Sequence, residues 1–166
     1  MMKMLLSFML LVTPCFTWAA DVEFHMIRFF DPTPVVKQRV NDTAALGAYL
    51  KKSQAVVRQK MKSYKLAPSA GFLVLAVRAD GRTNAWLDMV EPFPREVETA
   101  VIKAAKKIAP FAVKSGTVLV ALDMTINGGF IPENVSPYPQ EWLDYADNCH
   151  ACGELDAETI VSRIWL

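Results

Sequence analysis

Residues 71–90, GFLVLAVRADGRTNAWLDMV, limit the possible folds more than any other stretch. A strongly apolar run, Gly71–Ala79, reaches Asp80-Gly81, and a second run, Arg82–Val90, leads away from it. A tight two-residue turn needs positive φ, which Asp and Gly tolerate, so the two runs read as an antiparallel hairpin. An isolated hairpin is at best marginally stable in water. The flanking segments must therefore supply further strands and a covering layer.

Those segments are legible. Val22–Phe30, VEFHMIRFF, reads as a strand stopped by Asp31-Pro32-Thr33-Pro34. Asn41, Asp42 or Thr43 can cap a helix, because a short side-chain oxygen accepts an orphan amide of the first turn. Leu46, Leu50, Val57, Met61 and Tyr64 then recur at helical spacing, and Pro68 marks the end. After the hairpin, Pro92 and Pro94 break the chain, and Pro94 suits the first turn of a second helix. Glu96 and Glu98 sit near its positive end and Lys103, Lys106 and Lys107 near its negative end. Its expected buried stripe is Val97, Val101, Ala104, Ala105 and Ile108. Thr117–Ile126, TVLVALDMTI, is a last strand with Val118, Val120, Leu122, Met124 and Ile126 on one face and Asp123 and Thr125 on the other. The order strand, helix, strand, strand, helix, strand predicts an α+β domain over residues 20–129. It would hold one small antiparallel sheet of three to four strands, with two helices packed on one face.

Both ends differ in character from this body. The start, MMKMLLSFMLLVTPCFTWAAD, has one lysine, a short apolar run and the small residues Thr17 and Ala19 ahead of Ala20. Residues 1–19 are expected to be a cleaved signal peptide, which places the protein in the periplasm or outside the cell. The run is shorter than the roughly 20 residues of a membrane span. Cys15 would leave with the leader, and Pro14 argues against lipid attachment there. Residues 130–166 form an acidic extension with three prolines, whose Trp142, Leu143 and Tyr145 are expected to dock on the body. Ala157–Leu166 reads as a short terminal helix or strand.

Charge gives little support for nucleic acid as a partner, since 18 Lys and Arg face 17 Asp and Glu. The charges are nevertheless segregated. No acid lies between Asp42 and Asp80, and no Lys or Arg lies between Lys114 and Arg163, where eight acids fall. The two regions could face each other, solvate the surface, meet an acidic partner, or drive self-association.

Cys149 and Cys152 are spaced Cys-x-x-Cys, with His150 between them. In an oxidising compartment an even pair is most simply a structural disulfide. A redox role would need a stabilised thiolate, yet the neighbours are Asp144, Asp147, Glu154 and Asp156. Metal binding through Cys149, His150 and Cys152 is the other alternative, although a structural zinc site wants four ligands. No nucleophile, metalloprotease or phosphate-loop motif occurs. The expectation is therefore a non-enzymatic protein without a cofactor, with a small thiol-redox or metal-binding protein as the alternative.

The block from Thr43 to Ile126 resembles the C-terminal domains of the TonB and TolA envelope proteins. AALGAYLKKSQAVVRQKM supplies the first helix, RADGRTNAW the end of one strand, the Asp-Gly turn and the next strand, and VETAVIKAAKKIAPF the second helix. The resemblance departs at Glu91-Pro92-Phe93-Pro94, where the family often has a Ser-Ser-Gly-like turn. With its leader cut, the chain would also have neither the inner-membrane helix nor the long linker of the transducers. The resemblance thus implies a periplasmic binding module rather than an energy transducer. Its partner would be an envelope or periplasmic protein, added as an extra strand at an exposed sheet edge. By that analogy the edge is Thr117–Ile126, engaged through Thr117, Leu119, Ala121, Asp123 and Thr125. The acidic extension could itself occupy that edge.

Overall fold

The computed structural model describes residues 19–149 and 155–165. The strands are β1 (Val22–Phe29), β2 (Ser69–Arg78), β3 (Thr83–Met89) and β4 (Thr117–Ile126). The helices are α1 (Thr33–Arg39), α2 (Thr43–Met61), α3 (Arg95–Lys106), α4 (Gln140–Asn148) and α5 (Ala157–Ile164). The fold is α+β, with one antiparallel sheet in the order β1-β4-β2-β3.

Local chemistry accounts for most of these boundaries. The hairpin forms where Asp80-Gly81 was expected to turn it, with Gly81 at φ 80° and the Arg78 N–H on the Arg82 carbonyl at 3.0 Å. Asp42 caps α2 by accepting the Ala44 N–H at 2.8 Å. Leu46, Leu50, Val57 and Met61 of the expected stripe are buried, joined by Tyr49 and Ser53, whereas Tyr64 lies past the end of the helix and is half-buried. The short α1 was not anticipated. The prolines that stop β1 also start this helix, because proline's missing N–H is no loss in a first turn.

The sheet carries two cores. On one face Leu73, Leu75, Val120 and Leu122 pack with Leu50, Val57 and Val101 of α2 and α3. On the other, Phe72, Val74, Leu119 and Ala121 pack with Trp142, Ile160 and Val161 of α4 and α5. The expectation of helices on one face thus describes only half of the molecule. The acidic extension roofs the second face, because β2 and β4 are apolar on both sides and need two covers. Trp142 is fully buried and Tyr145 packs beside it, whereas Leu143 points to solvent.

The roof is also fastened by charge. Glu158 of α5 accepts the Thr117 N–H at 3.0 Å and an Arg39 guanidinium N–H at 2.7 Å. Arg39 also donates to the Thr117 carbonyl at 2.6 Å and to Asp31 at 3.0 Å. Among the described residues, no helix is long and apolar enough to cross a membrane.

Candidate functional site

A strand at the margin of a sheet presents unpaired N–H and C=O groups. Such a margin is what an added strand needs, so the position of each edge decides what the sheet can bind.

β4 is not a margin. It pairs with β2 along its whole length and with β1 on its other side. The strand expected to receive a partner is interior, because β1 of the same chain lies on it. The five residues proposed for contact are engaged elsewhere. Thr117 is held between Arg39 and Glu158. Leu119 and Ala121 belong to the second core. Asp123 is 2% exposed and takes a two-pronged contact from Arg28, at 2.9 and 2.7 Å. Thr125 shares a 2.8 Å hydrogen bond with His25. Nor does the extension occupy this edge, since it covers a face instead.

The two margins are β1 and β3. At β1 the Val22 carbonyl is taken by the Arg58 guanidinium at 2.9 Å, and the register breaks between Phe24 and Ile27. A bulge of this kind bends an edge and interrupts regular pairing. Met26, Ile27 and Phe29 are exposed there, but the straight edge beyond the bulge is short.

β3, by contrast, keeps an unbroken register along its margin. The Val90 N–H bonds the Ala70 carbonyl at 2.9 Å and Arg82 closes the turn, so the alternation of an antiparallel ladder directs Ala85, Leu87 and Met89 outward. The Ala85 N–H is already satisfied by the Asn84 side chain at 3.0 Å. Among the described residues nothing hydrogen-bonds the outward groups of Leu87 and Met89.

That open stretch is the floor of a groove. Two hollows of about 300 and 340 Å³ meet there, sharing Leu87, Glu98 and Gln140 in their walls. α3 supplies Glu98 and Ile102 on one side, and the start of α4 supplies Gln140 and Glu141 on the other. Pro92 and Phe93 close one end. Asp88 lines the groove, and its carboxylate makes no hydrogen bond or ion pair with any described residue. Burial pushes its carboxyl up to about 6. On the same face of β3, the Trp86 indole N–H donates to Glu141 at 2.7 Å and its ring packs edge-on against Trp142.

No known protein family, characterised protein or solved structure matches this chain.

The remaining candidates fall as follows. Cys149 is the C-cap of α4, with its N–H on the Ala146 carbonyl at 3.2 Å. Cys152 and His150 lie outside the described residues, as does the leader except Ala19, so the disulfide and metal expectations concern positions beyond them. Asp88 and Asp123 both pair with Phe72 and stand on opposite sides of it, so the two carboxylates do not meet. Trp86 packs on a helix, α4 of the extension. Reading the sequence did not single out Leu87, Met89 or Glu98 as functional. The available signal was the polar make-up of β3, whose Thr83, Asn84 and Asp88 contrast with the apolar β2 and suit a margin.

Proposed function

We propose that this protein is a non-enzymatic periplasmic or secreted binding module that takes an extended segment of an envelope protein as a fifth strand along β3. The observation that carries this reading is the outward backbone of Leu87 and Met89, unpaired at the floor of a groove walled by α3 and α4. Main-chain hydrogen bonds to those groups would supply affinity, and the walls would select alternate side chains. The likeness to the TonB and TolA C-terminal domains is supported by the order of α2, β2, β3, α3 and β4 over Thr43–Ile126. Within that likeness the receiving edge moves from β4 to β3, because β1 fills the other margin.

Leu87→Pro tests the reading. Proline lacks the N–H that an added strand would use, yet is tolerated on an edge strand where that N–H faces outward. Capture from envelope extract is expected to retain a specific protein on the wild type and lose it on the Leu87→Pro variant, with circular dichroism unchanged. Equal capture by both folded proteins would place the contact elsewhere.

A further inference from the structure

Strand addition along β3 would sort the side chains of the incoming segment into two rows. Ala85, Leu87 and Met89 share the face packed toward α3, while Trp86 and Asp88 share the face toward α4. The α3 row would meet Ile102 and Phe93, which are apolar. The α4 row would pass Asp88. The residues lining both hollows include three carboxylates, Asp88, Glu98 and Glu141, and no Lys, Arg or His. Glu141 already accepts the Trp86 indole N–H, whereas the carboxylates of Asp88 and Glu98 make no hydrogen bond or ion pair with the described residues.

We propose that the β3 groove selects an extended segment alternating apolar and cationic residues, its Lys or Arg side chains on the Asp88 side and its apolar side chains against Ile102 and Phe93. This inference rests on the strand-addition reading and adds the chemistry of the ligand. A half-buried carboxylate without a partner is costly to keep charged, so a cation beside it gains more than at an open surface. An acidic segment would meet like charge on both walls and be rejected. The groups facing Asp88 across its hollow are Glu98 from α3, the uncharged Gln140 from α4, and Pro92 and Phe93 from the connecting loop. None of them competes as a counter-ion.

Three blocked heptapeptides of one frame provide the probe, with valine at odd positions and lysine, glutamine or glutamate at even positions. Each is titrated into the full chain while the exchange of the Leu87 and Met89 amides is followed by NMR. The lysine peptide is expected to protect both amides and to bind about tenfold more tightly than the glutamine peptide. The glutamate peptide should not bind. Combining Asp88→Asn with Glu98→Gln should bring the lysine peptide close to the affinity of the glutamine peptide on the same variant. Equal affinity for lysine and glutamine, with both amides protected, would overturn the cation selection and leave strand addition standing. No protection by any peptide would overturn both. Protection without peptide, growing with protein concentration, would put a second copy of the chain in the groove and overturn the proposal.

Discussion

Two aspartates on one face of the sheet have opposite circumstances, and each predicts a measurable consequence. Asp123 is buried and held by Arg28 in two-pronged geometry. Arg28→Met would leave that anion uncompensated and should cost about 3–5 kcal/mol in denaturant unfolding, much of it recovered when Asp123→Asn is added. Asp88 has no such partner, and burial alone raises its carboxyl to about 6. A raised carboxyl pKa in the folded state means that the charged form disfavours folding. The penalty is absent below the ordinary carboxylate range, where both states are protonated, and is fully present above about 6. Asp88→Asn should therefore stabilise the protein by about 1–3 kcal/mol near pH 7.5, with the difference gone by about pH 4. A flat difference across that range would refute the assigned cause. The sequence places both acids on strands but gives no register. Only the alignment of Phe72 with each of them shows why they do not meet.

At the scale of elements, the hairpin, α2, α3 and β4 were all legible because each is a long periodic segment with its own cap or turn. β4 has the expected bounds, and the hairpin strands shift by no more than two residues. The second layer was harder to read. Its sign was the unbroken apolar character of β2, since a strand covered on one side alternates and one covered on both does not. α4 and α5 are only nine and eight residues long, too few turns for a periodic pattern to stand out in the sequence, and it is Trp142 that anchors α4 against the sheet. Trp142→Ala should cost about 3–5 kcal/mol, as expected for removing a large, fully buried side chain. The groove depends on a closer constraint. A Cβ at Gly71 would run into the Asp88 carbonyl and lie 2.7 Å from the Met89 Cα. Both atoms belong to the backbone of β3, so they cannot swing aside as a side chain would. Gly71→Ala should cost about 2–4 kcal/mol and displace Met89 from the groove floor, read as faster exchange across the β2–β3 ladder. Unchanged exchange there would show that β3 absorbs the methyl.

For the whole molecule, the decisive feature is which end of the sheet the chain closes by itself. The block Thr43–Ile126 alone would leave β4 as a margin, and that is why the resemblance put a partner there. β1 takes the position instead, in antiparallel register from Val22 opposite Ile126 to Phe29 opposite Val120. The sequence contained this strand, but strand order depends on pairing between segments nearly a hundred residues apart, which local periodicity does not encode. In effect the protein supplies its own added strand at one margin and keeps the other open. The contacts of β1 are those a bound segment would make: a backbone ladder, the Arg28–Asp123 pair and the His25–Thr125 hydrogen bond. A chain beginning at Asp31 should therefore bare the β4 margin, lose thermal stability and self-associate through it. A synthetic peptide of residues 20–30 should bind that chain, raise its melting temperature and return it to the size of the intact protein in sedimentation. The same peptide carrying Arg28→Met should rescue less, because Asp123 would stay unpaired at the bottom of the site. If the shortened chain keeps its melting temperature and ignores the peptide, β1 is an ornament on an otherwise complete sheet, and β4 again becomes the edge at which to look for a partner.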